Sequence, residues 1–417
     1  LIRAGHEVTG FGRDLDLGRR LVPAVEWRPC DLNTDTDPQI WAERLDGCDM
    51  LVNCAGVLQK TSRDDPAAIH GAATCALFDG ALKAGVQRII HISALGADDD
   101  VDTDYSRSKR VADTYLAGLD ADWIILKPSL VVARECYGGT AMVRLLAGLP
   151  GVVAIPEQAN IVFQPVAMDD LTNGILRLTD ANAPSRLTLA VTGPVVQDLT
   201  EIVQTIRAWL GFGPARIVAV PGWAMRPVIL AADLLGYLGV ETALRSTSFK
   251  QTEKPNTADH VPFEEATGLK MQPIGTALAD DPASRADRRD ARLAAPLIAL
   301  RVLLAVFWVA TGSVTLTGIS HAAQADAALA LSALVGGTAT LGAIIATSCL
   351  DILLGIWLIT ARDLWRPCVA QILLSLGYIG GLTLLAPEMW ADPLGPLLKV
   401  VPIIGATIVL AASGARR

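Results

Sequence analysis

Beyond residue 293 the sequence is dominated by four long apolar runs, 297–317, 340–360, 367–386 and 397–413. Each approaches the roughly 20 residues that an α-helix needs to cross the hydrocarbon core of a bilayer. Charge at the ends of the runs follows a pattern. Arg285, Arg288, Arg289 and Arg292 precede the first run, Arg362 and Arg366 lie between the second and third, and Arg416 and Arg417 follow the fourth. The other two connections, 318–338 and 388–396, contain no lysine or arginine. The positive-inside rule then places everything before residue 293, and the C-terminus, on the cytoplasmic side of an inner or plasma membrane that the chain crosses more than once. A pair of helical hairpins buried in a soluble protein is the competing arrangement, and it leaves the charge alternation unexplained.

Two charges fall inside these runs. Asp351 sits near the middle of the second, where a carboxylate is costly unless it is protonated, paired or facing a cavity. Arg301 lies about a turn inside the first, long enough to snorkel outward or to reach Asp351. Asp351 is also the sole support for a transport reading. Lys399 lies near the outer end of the fourth run, where it snorkels. A further apolar stretch, 220–239, contains Arg226, Pro227 and Asp233. It is expected as a helix of the preceding domain, either against the membrane surface or in the core.

Residues 6–192 have a different texture. Short apolar segments ("HEVTGFG", "VEWRP", "DMLVNC", "RIIHIS", "DWIILK", "LTLAV") alternate with helical ones. Strands separated by helices imply crossover connections and a parallel sheet covered on both faces, a doubly wound α/β domain. It is assigned to residues 1–285, with 129–285 contributing a substrate lobe, and an all-α four-helix membrane domain to 293–417. The opening "LIRAGHEV" reads as the end of a helix, closed by Gly5, leading into a strand.

The net charge of −8 argues against a nucleic-acid surface. The 7 cysteines contain no close pair, so neither a zinc site nor a disulfide framework is indicated. His6, His70, His91, His260 and His321 are dispersed, and no metal site is expected.

The chemistry concentrates in "HISALGADDDVDTDYSRSKRVADTYL", residues 91–116. A buried strand ends at Ser93, and Tyr105 and Lys109 follow one helical turn apart, on one face. The Lys109 ammonium is expected to favour the Tyr105 phenolate and lower its pKa, so that Tyr105 exchanges a proton while hydride moves to or from a carbonyl carbon. Ser93, at the carboxyl end of a strand, is expected to hydrogen-bond the same carbonyl oxygen. Asp98, Asp99, Asp100, Asp102 and Asp104 precede Tyr105 and read as an exposed, screened loop.

These residues resemble the short-chain dehydrogenase/reductase superfamily in its extended or atypical branch, over roughly residues 1–280. The likeness rests on "YSRSK" as Tyr-x-x-x-Lys, "LVNCAGVL", "CDL", "LKPSLVVA" and "FQPVAMDDL". It is nearest the branch containing the nucleotide-binding accessory subunit of respiratory complex I, some members of which bind nucleotide without known turnover. The resemblance implies a Rossmann-like domain whose first strand and pyrophosphate-binding glycine turn lie upstream of residue 1. It implies a gap in the sheet, and dinucleotide binding by the chain as it stands that is weak or absent. "GFG" at 10–12 ends a strand without a following helix start and third glycine, so no pyrophosphate glycine is assigned. Arg13 would meet a ribose 2′-phosphate, favouring NADP(H) over NAD(H). Asp31 and Leu32 would flank the adenine, Ala55 and Gly56 the ribose, with Lys109 beside them, and Pro128 the nicotinamide. Ala167 stands where many relatives have histidine.

The C-terminal part resembles the DoxX-like family, through "RVLLAVFWVATG" and "DPLGPLLKVVPIIGATIVL". That likeness implies quinone-dependent redox and sulfur chemistry. Together the expectations are a membrane-tethered oxidoreductase acting on a carbonyl or alcohol of a lipophilic substrate such as a quinone or isoprenoid, with a quinone or membrane redox partner. The alternative is a non-catalytic NAD(P)H-binding scaffold or redox sensor.

Overall fold

The computed structural model describes residues 1–57, 60–61, 64–97, 103–136, 138–156, 161–237, 255–393 and 395–414. Asp98, Asp99, Asp100, Asp102, Arg416 and Arg417 therefore lie outside the described residues. The chain divides into two units, Leu1–Leu234 with Thr242–Ala291, and Leu235–Glu241 with Arg292–Arg417.

The first unit opens with a single helical turn, Ile2–Ala4, closed by Gly5 in the left-handed conformation, φ 88°. Strand β1 (Thr9–Gly12) leads to α1 (Leu15–Leu21), β2 (Glu26–Pro29), α2 (Pro38–Arg44) and β3 (Met50–Asn53). A π-helical stretch, Ala67–Ala73, runs into α3 (Thr74–Lys83), followed by β4 (Arg88–Ile92), α4 (Asp104–Ala117) and β5 (Asp122–Pro128). Apart from four two-residue strands, the remainder comprises α5 (Gly138–Gly148), β6 (Val152–Pro156), α6 (Met168–Leu178), β7 (Leu187–Val191), α7 (Leu199–Trp209), β8 (Arg216–Val220), α8 (Gly222–Tyr237), α9 (Val261–Thr267) and α10 (Ile274–Asp280) among the described residues.

All the strand pairs that frame the site are parallel. β7, β5, β4 and β3 form a four-stranded sheet in that order, and β1 pairs with β2 in a separate ladder. "RIIHI" and "DWIILKP" are almost wholly buried because helices cover both faces. One face carries Trp41, Phe78, Ile89, Leu116 and Ile125, and the other Ile90, Ile124, Leu126, Leu178 and Phe263. Helix starts follow local chemistry: Asp14, Asp37 and Thr103 each accept a backbone N–H in the first turn of their helices. A helix does start after "GFG", at Leu15, but with leucine in place of the third glycine. Asp14 caps it, and Gly18 is buried against Trp27. In the 220–239 stretch, Trp223, Arg226 and Leu230 of α8 are exposed, which excludes a core position for that face.

The second unit contains most of α11 (Arg285–Thr317), then α12 (Asp326–Val335), α13 (Gly337–Thr360), α14 (Trp365–Leu385) and α15 (Val400–Ser413). α11, α13 and α14 are long and apolar enough to cross a membrane. The fourth expected span differs. α15 has 14 residues, about 21 Å at 1.5 Å per residue, short of a hydrocarbon core of about 30 Å. The stretch before it, rich in proline and glycine, includes a 3₁₀ helix, Pro387–Trp390, and a turn over 396–399. α12 fills a connection that composition left as a loop.

Large apolar side chains such as Leu303, Leu353, Leu373 and Leu384 point outward on these helices, as lipid-facing residues do. Inside, helices approach closely at glycine: a Cβ on Gly312 would run into the Ser348 carbonyl, and one on Gly355 would lie 2.7 Å from the Ala305 carbonyl oxygen. Arg301 neither snorkels nor reaches Asp351. It donates to the carbonyls of Leu358 (3.0 Å), Ile359 (2.9 Å) and Ala361 (2.6 Å), satisfying acceptors that the end of α13 leaves open. Asp351 instead accepts the Tyr378 hydroxyl at 2.8 Å.

Candidate active site

The carboxyl ends of β1, β3, β4 and β5 place Arg13, Asn53–Gly56, Ser93 and Pro128 where open parallel sheets hold ligands. Helix α4 supplies Tyr105 and Lys109 one turn apart. Tyr105 is half-buried and Lys109 is 3% exposed.

Lys109 points into the sheet's end. Its Nζ donates to the Ile92 carbonyl at 2.9 Å and the Ala55 carbonyl at 3.3 Å, bridging the ends of β4 and β3. Burial pushes its pKa down to about 8, against the opposing pull of Asp113. The expectation that Lys109 acidifies Tyr105 is overturned. Burial pushes the Tyr105 hydroxyl up to about 12, and the nearby Asp113 carboxylate adds to the rise.

Ser93 is also placed differently from expectation. Its hydroxyl donates to Asp113 Oδ2 at 2.8 Å, so its hydrogen is directed away from any substrate carbonyl. Lys127 Nζ approaches the same oxygen at 3.3 Å, and His91 Nε2 lies 3.5 Å from Asp113 Oδ1. Asn53 Nδ2 meets His91 Nδ1 at 3.2 Å, completing a buried lattice under the strand ends. Asp113 is raised by burial, and His91 is held well below its ordinary range by burial and by the neighbouring cations Lys109 and Lys127.

His70, one of the dispersed histidines, joins the site. It accepts from the Val57 backbone N–H at 2.9 Å, meets Ser108 Oγ at 2.9 Å, and stands edge-on to the Tyr105 ring, with centroids 5.5 Å apart. Asn53, His70, His91, Asp113 and Lys127 were all missed from sequence. The available signal was a polar residue inside an apolar strand ("RIIHI", "WIILK") and Asp113 one further turn along the face of α4 that holds Tyr105 and Lys109.

The nucleotide-side residues are partly engaged. Arg13 Nη1 pairs with Asp64 at 2.6 Å while remaining half exposed. The Asp31 carboxylate accepts from Asn33 N (3.0 Å) and Nδ2 (2.9 Å), bonds that lower its pKa. Leu32 packs on the Trp41–Phe78 core. Pro128 ends β5, its carbonyl accepting from Leu95 N at 3.0 Å. Ala167 lines a cavity of about 120 Å³ together with Val132, Arg134, Met168 and Ile274. Asp104 pairs with Arg107 on the surface. Among the described residues no group of three or more His, Cys, Asp or Glu side chains could hold a metal ion.

Comparison with known proteins gives two family matches: the NAD(P)H-binding family over residues 1–144 and the DoxX-like family over residues 305–408. No curated protein sequence matches. Among solved structures, the triphenylmethane reductase of Citrobacter sp. complexed with NADP(H) aligns with a TM-score of 0.50 and 14% identity, covering 67% of this chain and 92% of that one. The Bordetella bronchiseptica enzyme WbmG in complex with NAD aligns at 0.48 and 17%, covering 67% and 88%. UDP-glucose 4-epimerase of Thermotoga maritima with UDP-glucose aligns at 0.48 and 12%, covering 67% and 90%. The reductase likeness shows the fold alone. The chain thus combines a Rossmann-like α/β fold, similar over residues 1–144 to the NAD(P)H-binding family, with a helical region similar over residues 305–408 to the DoxX-like family.

Proposed function

We propose that the protein is a membrane-tethered, nicotinamide-dependent oxidoreductase that reduces a carbonyl of a lipophilic substrate. The observation that carries the reading is Lys109, buried across the carbonyls of Ala55 and Ile92 on the same face of α4 as Tyr105. The exposed side of Arg13 and the strand-end loop at Ala55 and Gly56 support a site for a dinucleotide. Arg13, Asp31, Leu32, Ala55, Gly56, Lys109 and Pro128 would hold it, and when bound it supplies the hydride. Arg13 uses one nitrogen on Asp64, and a guanidinium has five N–H groups, which supports NADP(H) over NAD(H).

Tyr105, with its pKa raised, keeps its proton at neutral pH and serves as the proton donor. An alkoxide is more basic than a phenolate, so the transfer runs downhill as the carbonyl is reduced. Lys109 holds the two strand ends and keeps one N–H for the ribose side. Ser93, its hydrogen on Asp113, offers oxygen lone pairs to the cleft and so accepts a hydrogen bond.

The arginine pattern around the apolar runs supports a cytoplasmic α/β domain and C-terminus in an inner or plasma membrane. Tethering at a bilayer supports a substrate or redox partner dissolved in it, such as a quinone or isoprenoid. The commitment of Ser93 to Asp113 favours a second reading, a nucleotide-binding scaffold or redox sensor. Tyr105→Phe in the full-length protein decides. The expected result is loss of nucleotide-dependent turnover by about 10²–10⁴-fold with nucleotide affinity kept; unchanged turnover removes Tyr105 from the chemistry.

A further inference from the structure

We propose that His70 is a positioning residue that ties the nucleotide-side loop Ala55–Val57 to the first turn of α4 and thereby seats Tyr105. The proposal rests on the oxidoreductase reading for the role of Tyr105, but its hydrogen-bond chain stands apart from it. Val57 N–H donates to Nε2 at 2.9 Å, so that nitrogen carries the lone pair and Nδ1 carries the hydrogen. Nδ1–H then donates to Ser108 Oγ at 2.9 Å, and the Ser108 hydroxyl donates to the Tyr105 carbonyl oxygen at 2.9 Å. The order of donors is fixed along the whole chain by one backbone N–H.

The surroundings suit a bracket. His70 is 1% exposed and edge-on to the Tyr105 ring. A Cβ on Gly56 would lie 3.7 Å from both His70 Nε2 and Lys109 Nζ, so the histidine and the lysine support the same loop residue from beneath. His70 sits in the π-helical stretch Ala67–Ala73, an irregularity that recurs where function needs a side chain re-aimed. Burial and Lys109 hold its pKa down at about 3, so it stays neutral and fixed in one tautomer across the working range.

The two bonds can be cut separately in the full-length protein. In His70→Asn the side-chain amide reaches the Nδ1 position and keeps the donor to Ser108 while losing the acceptor for Val57. In His70→Gln it reaches the Nε2 position and does the reverse. Ser108→Ala cuts the Tyr105 link and removes the acceptor of Nδ1–H, leaving the His70 bond to Val57 in place. NADPH titration should show about a tenfold weaker Kd for His70→Asn, with His70→Gln and Ser108→Ala within twofold of wild type. The latter two should instead lower kcat about tenfold at unchanged KM, shift the ring resonance of Tyr105 in tyrosine-labelled NMR spectra, and leave the shape of the pH profile unchanged.

A uniform loss across all three variants, in Kd and kcat alike, or no split between them, overturns the proposal. If wild type binds NADPH but turns nothing over, the oxidoreductase reading fails. The bracket is then judged on Kd and the Tyr105 resonance alone, where the same split supports it and its absence sinks it.

Discussion

The two units bury polar side chains in different ways. In the α/β unit, Asp113 meets Ser93, Lys127 and His91, His91 meets Asn53, and Lys109 spans two carbonyls. Asp113 and His91 each touch more than one other member, so the charges and hydrogens around them are set jointly. In the apolar helical unit the two charged side chains inside the helices, Arg301 and Asp351, each take one kind of partner. Arg301 takes only backbone carbonyls, and Asp351 takes one phenol. A lattice of charges suits a site that must hold protons in unusual places. Single pairs suit helices that need fixed register in lipid.

The largest expected effect comes from breaking the lattice at its centre. Asp113→Leu removes the carboxylate that Lys127 and Ser93 share, and should destabilise the protein by about 3–5 kcal/mol in denaturant unfolding. Adding Lys127→Met should recover much of that loss, because the cost lies in a buried charge stripped of its counter-charge. A single-mutant loss under about 1 kcal/mol would mean that the lattice is no more cooperative than the isolated pairs of the helical unit.

That lattice marks the limit of what the sequence conveys. The parallel alternation of strands and helices is legible because its period is local, as are the apolar runs and the one-turn spacing of Tyr105 and Lys109. The length of α15 is not, because hydropathy counts apolar residues without registering that the turns before it, around Gly395, delay the helix to Val400. His70, His91, Asp113 and Lys127 come from four separate elements. Each alone is an ordinary polar residue, and only packing brings them together. The partner that Arg13 takes in the fold, Asp64, lies 51 residues later in the chain and is likewise invisible to local pattern. The direction of the Tyr105 shift was misjudged for the same reason. The spacing sets Lys109 one turn away, but the strand-end carbonyls hold its ammonium, and burial then dominates the phenol.

A second test reads the lattice through pH. The folded pKa of Lys109, about 8, lies below its unfolded value of about 10.4. Between these the unfolded chain binds more protons, so stability should rise with pH by up to about 1.4 kcal/mol per unit. Tyr105 works against this at the upper end. Its folded pKa of about 12 exceeds an unfolded value of about 10, so the unfolded state ionises first and stability falls above pH 10. The window is therefore pH 8–10, and Lys109→Met should flatten the slope there. A slope that survives the substitution would assign the titration elsewhere and loosen the case for a charged amine beneath the site.

The smallest effect should come from the helical unit. Tyr378→Phe deletes the hydroxyl that Asp351 accepts, leaving ring and helix packing in place. Hydrogen bonds between helices in lipid contribute about 0.6 kcal/mol on average and rarely more than about 1.7, since the unfolded chain in the bilayer also finds partners. Unfolding in bicelles should show a loss of that size. Asp351→Asn should lose less still, because an amide oxygen still accepts the phenol. A loss above about 3 kcal/mol for Tyr378→Phe would instead mean that Asp351 is ionised within the apolar unit and leans on the phenol as Asp113 leans on Lys127. The distinction between lattice and single pair would then disappear, and Asp351 would need a role beyond holding two helices in register.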